Sequence, residues 1–78
     1  MIEKANELSS CVENSTVELS ALRDLLYLVG DAMENESNVI YRCSLYLSQI
    51  YLLANGIERV TEDLSKAVRE FNKAKRNG

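Results

Sequence analysis

The chain has 78 residues and a formal net charge of −3, and it contains no proline, histidine or tryptophan. A chain of this length is one domain at most, and one core of that size rarely supplies more than ~3–5 kcal/mol without a metal, disulfides, very regular helix packing or association. Without histidine it lacks the commonest general base near neutral pH and the commonest metal ligand, and it has no glycine-rich phosphate loop and no zinc-type cysteine spacing. The expectation is a non-enzymatic protein with no cofactor, no metal and no small-molecule substrate.

The first half carries Met1, Ala5, Leu8, Val12, Ser15, Leu19, Leu22, Leu26, Val29 and Met33 in alternating steps of four and three. That is the period of an amphipathic helix, and it predicts one over about 2–34. Only Ser15 interrupts the apolar series. Ser15-Thr16-Val17-Glu18 also reads as a capping box, so both a continuous helix and a bend near 13–16 are open.

Asn35-Glu36-Ser37-Asn38 is a run of turn and cap formers, which places the turn at 35–38 with Ser37 or Asn38 capping the next helix through a side-chain oxygen. Glu34 and Glu36 read as a solvated acidic turn rather than a cation site.

The second helix is expected over about 38–75. Val39, Cys43, Tyr46, Ile50, Leu53, Ile57, Val60, Leu64, Ala67 and Phe71 repeat the four-three step, and a flanking stripe of Ile40, Leu47, Ala54, Thr61 and Val68 widens the apolar face to three positions in seven. Asn55-Gly56 is a common helix stop and a candidate bend near 55–56. The heptad phase nevertheless passes Gly56 undisturbed and one interior glycine costs only about 1 kcal/mol, which favours a continuous helix. Residues 73–78 read as a basic, frayed tail.

Folding back at about Glu36 pairs Val29 with Cys43, Leu22 with Ile50, Ser15 with Ile57, Leu8 with Leu64 and Met1 with Phe71. The fold class is all-α: a long antiparallel helical hairpin of 1–78, associating into a four-helix bundle. Cys43 falls on the core face, far along the rod from Cys11, and both cysteines are expected as free thiols.

The run from Val39 to Gly56 holds more apolar residues than one buried stripe requires. With the core positions assigned, Tyr41, Leu45, Tyr51 and Leu52 are left over, joined near the turn by Leu25, Tyr27 and Leu28. These seven are the candidate oligomer or partner interface. A homodimer is the favoured product because closed two-fold dimers are the commonest oligomers, and a different protein partner would use the same surface.

Charge is uneven along the chain. Lys66, Arg69, Lys73, Lys75 and Arg76 crowd the end of a chain that is otherwise acidic. They are a candidate polyanion contact, but cations at a helix carboxyl end also offset the macrodipole, and the negative total favours that reading over nucleic acid. The amino terminus shows no basic patch followed by an apolar core. The Val39–Ala54 run is broken by Arg42, Ser44, Ser48 and Gln49 and is shorter than the ~20 residues that span a bilayer. A cytoplasmic protein without a membrane partner is expected.

Overall fold

The computed structural model describes residues 2–77, in which helix α1 covers Ile2–Asn35 and helix α2 covers Val39–Asn77. The pairing of Met1 with Phe71 and the last residue of the expected tail, Gly78, lie outside the described residues. Helices of 34 and 39 residues match the proline-free, heptad-patterned sequence. The stretch expected as a tail is helical as far as Asn77, and Lys75 and Arg76 lie in the last turn, where cations oppose the helix dipole.

Both candidate bend sites sit inside unbroken helix, as the undisturbed heptad phase at Gly56 favoured. At 13–16 α1 runs on, so Ser15 caps no helix start and Glu18 pairs with Arg59 instead of closing a capping box. The Thr16 hydroxyl donates to the Val12 carbonyl, four residues back, at 2.8 Å. Gly56 lies inside α2 with an ordinary negative φ, and its missing side chain serves packing rather than termination.

The turn is closed by its own polar groups. The Asn35 side-chain amide donates to the Asp31 carbonyl at 2.9 Å in the last turn of α1, and the Glu36 N–H reaches the Met33 carbonyl at 3.3 Å, satisfying one of the carbonyls that the helix end leaves free. The Asn38 carbonyl accepts the first bonds of α2, from the backbone N–H groups of Tyr41 and Arg42 at 3.0 and 3.2 Å. The side-chain partner expected from Ser37 or Asn38 comes instead from Glu36, whose Oε1 accepts the Asn38 N–H at 3.1 Å.

The helices pack antiparallel into a rod with extents of 60 × 16 × 10 Å and a radius of gyration of 17.7 Å. A compact chain of this length would have a radius of about 11–12 Å. The core is a single seam. Among the described residues, Tyr46, Leu53 and Val60 are the buried large side chains, with Gly56 and Ser15 buried beside them, and Val60 is the most enclosed at 1% exposure.

The register differs from the layers expected from periodicity. Leu22 faces Gly56 rather than Ile50, and Cys11 donates to the Asp63 carbonyl at 3.7 Å. As a result Cys43, expected on the core face, is exposed, and Ile50 and Ile57 are partly exposed. Gln49 and Gly56 take the inward positions on that side of α2. Leu22 packs into the space left open at Gly56 and Ser15 is buried in the seam, so α2 is turned away from the centre of its own apolar face.

Candidate interaction surfaces

With 3.6 residues per turn, the side chains flanking the seam divide between the two open faces of the hairpin. On one face Leu25, Leu28 and Ala32 of α1 meet Gln49 and Leu52 of α2. Together with Leu22, Val29 and Leu53 they line an open groove of about 410 Å³ near the turn. Gln49 is the one polar residue in that lining, so the groove offers shape and apolar area but almost no hydrogen-bonding chemistry.

Three of the seven interface residues expected from the sequence, Leu25, Leu28 and Leu52, come together in this groove. Leu45 lies one helical repeat before Leu52 on the same side, and Tyr41 follows it towards the turn, 89% exposed. Tyr27 and Tyr51 are also exposed, but each lies about half a turn away from the groove-lining position two residues before it, on the back of its helix. The structure does not bring these two tyrosines to the groove.

Farther from the turn the same face becomes polar. Glu18 pairs with Arg59 across the helices at 3.8 Å, and Glu3, Glu7, Asn14 and Asp63 line the open surface beyond. Lys4 bonds Glu7 at 3.1 Å, and that bond, with the charges of Glu7, Glu70 and Glu3, holds its pKa above the usual lysine value.

The opposite face is apolar over much of its length. Val12, Leu19 and Leu26 of α1 and Ile50 and Ile57 of α2 lie on it, each between 37% and 51% exposed. The Glu18–Arg59 pair sets Leu19 level with Ile57, and one heptad either way sets Leu26 level with Ile50 and Val12 level with Leu64. Periodicity alone assigned these residues to the hairpin core. Their half-exposure is visible only once the angular centre of the seam is known.

At the turn, Glu36 gathers two hydrogen bonds and an ion pair. Besides the Asn38 N–H, its Oε2 accepts from the Tyr46 hydroxyl at 3.4 Å and pairs with Arg42 Nε at 3.3 Å. That hydroxyl also lies 3.4 Å from the Ala32 carbonyl. Burial of the phenol and then the Glu36 charge raise the Tyr46 pKa above its ordinary value. The acidic turn is therefore in part a structural clamp.

The five cations Lys66, Arg69, Lys73, Lys75 and Arg76 form no ion pair among the described residues, and four of them line a polar depression with Asn72. The described residues contain no group of three or more potential metal ligands and no helix long and apolar enough to cross a membrane. In comparisons with known proteins, no family model, curated protein or solved structure matches this chain.

Proposed function

We propose that this chain is a non-enzymatic interaction or scaffold protein of the cytoplasm that works by self-association, two hairpins packing as a four-helix bundle. One observation carries the reading: the hairpin exposes 6230 Å², whereas a compact monomer of 8.8 kDa would expose ~4,800 Å². It buries roughly half of what its unfolded chain would expose, and domains of this size ordinarily bury ~60% or more. A second copy is the simplest source of the missing burial.

Light scattering coupled to size exclusion over a wide concentration range tests this reading. A stable dimer or tetramer is expected, and a folded monomer at every concentration would overturn it.

A second reading rests on the tail. Five cations without ion-pair partners, four around one depression, are the footprint of a small adaptor that contacts nucleic acid or an acidic protein. Retention on nucleic acid at low salt, lost when Lys73, Lys75 and Arg76 are changed to Gln, would favour it. No retention even at low ionic strength would remove it.

A further inference from the structure

We infer that the self-association face is the strip formed by Val12, Leu19 and Leu26 with Ile50 and Ile57, occupied by a second copy with its turn at the opposite end. The loop-proximal groove stays outside that contact. This inference rests on the self-association reading and names the surface that would carry it.

The first argument is area. The apolar strip runs along α2 from Cys43 to Val68, about 38 Å at 1.5 Å per residue. Across a rod 16 Å wide, that is on the order of 600 Å² before the corrugation of side chains is counted, close to the ~800 Å² per partner of a standard stable interface. The groove between Leu25 and Ala32 is about 10 Å long on the same scale and offers only a fraction of that.

Preorganisation points the same way. Each strip side chain is already half-covered by its own hairpin, between 37% and 51% exposed, so its rotamer is largely fixed before a partner arrives and little further entropy is lost on docking. Tyr41 at 89% and Leu52 at 70% exposed have no such support. The strip is also poor in charge: between Val12 and Met33, Arg23 is the one charged residue that α1 places beside it. Depletion of charge is the compositional mark of an interface centre.

The orientation follows from the two ends. At the turn, Asp31, Glu34 and Glu36 are balanced only by Arg42, and the last turn of α1 holds no basic residue, although a helix carboxyl end favours cations. The open end carries the basic cluster of Lys73, Lys75 and Arg76. Turning the second copy end for end sets each acidic turn beside a basic end. With the turns together, two net acidic turns would meet at one end and two net basic ends, in which Glu3, Glu7 and Glu70 offset only part of the cluster, at the other.

The test uses two sets of variants of the full chain. Leu19→Glu and Ile57→Glu should each weaken the dimer by about 30-fold or more, the loss expected at an interface centre, while Leu28→Glu and Leu52→Glu leave it essentially unchanged. Circular dichroism confirms that the helices remain. If a strip variant unfolds, cysteine pairing decides. In a Cys11→Ser/Cys43→Ser background, Leu19→Cys lies near the two-fold axis of the end-for-end dimer and should cross-link to its own copy on mild oxidation.

With the turns together, Leu19 would instead face the partner's Ile57, and a disulfide would form only on mixing Leu19→Cys with Ile57→Cys chains. That result overturns the orientation. A dimer sensitive to Leu28→Glu and Leu52→Glu but not to the strip variants overturns the face and leaves self-association standing. A wild-type monomer at all concentrations removes both.

Discussion

A Cβ on Gly56 would lie 2.9 Å from Leu22 Cδ2 and 3.3 Å from Leu22 Cδ1, so Leu22 fills the space that a side chain would need. An alanine at an interior helical glycine usually gains about 1 kcal/mol. At Gly56 that gain is offset by displacing Leu22, which can swing towards the open groove it lines. Gly56→Ala should therefore stay within about 0.5 kcal/mol of wild type. Gly30→Ala, with nothing within 4 Å of its Cβ, should stabilise by about 0.5–1 kcal/mol. Urea unfolding at low protein concentration measures both, and equal stabilisation by the two would contradict the close approach at Leu22.

Glu36 holds the turn through Asn38, Arg42 and Tyr46, so Glu36→Ala should destabilise the hairpin by about 1–2 kcal/mol, the usual cost of lost hydrogen bonds where water can enter in part. The same contacts predict a pH dependence. The Tyr46 pKa is raised in the fold above 10.0, first by burial and then by Glu36. The stability linked to this phenol is complete below pH 10.0 and is lost as the pH rises through the folded-state value. In a Tyr27→Phe/Tyr41→Phe/Tyr51→Phe background, tyrosinate absorbance should appear at higher pH than in free tyrosine, and Glu36→Gln should move it part of the way back. A Tyr46 that titrates at the ordinary value would refute the clamp.

Both helices were legible in the alternating fours and threes, which no proline interrupts and which run on past the cap-like signals at Ser15 and Gly56, and the turn was legible in the cap formers at 35–38. The rotation of α2 was not. A face three positions in seven wide is broader than one neighbouring helix can cover, so periodicity marks the face without marking its centre. Ser15 and Gly56, which look like interruptions, are buried in the seam, with Leu22 packed into the space at Gly56, and Cys43, Ile50 and Ile57 turn outwards. The candidate interface was legible in part for the same reason. Leu25, Leu28 and Leu52 share a groove, while Tyr27 and Tyr51 entered the set only as apolar residues left over from the core positions, and being left over does not say on which side of the helix a residue lies.

Val60 is 1% exposed in a seam with few other buried side chains. Val60→Ala should cost about 2 kcal/mol through lost apolar transfer and the small cavity left behind. Ile57→Ala, removing more atoms from a side chain 45% exposed, should cost less in the isolated hairpin. Denaturant titrations at dilutions that disfavour association compare the two. A larger loss at Ile57 would place the centre of the intramolecular seam where periodicity alone put it.

If folding and association are coupled, the melting temperature must depend on protein concentration. For a folded dimer that dissociates into unfolded chains, tenfold more protein adds about 0.7 kcal/mol of stability per chain by mass action. In a domain of this size 1 kcal/mol moves the midpoint by roughly 4–8 °C, so a rise of about 3–5 °C per decade of concentration is expected. Thermal melts followed by circular dichroism over two decades read this directly. In Leu19→Glu the midpoint should be lower at every concentration and its concentration dependence should vanish wherever the chain still folds as a monomer. A wild-type midpoint independent of concentration would mean that the hairpin is stable alone and that its half-exposed strip contributes nothing to folding.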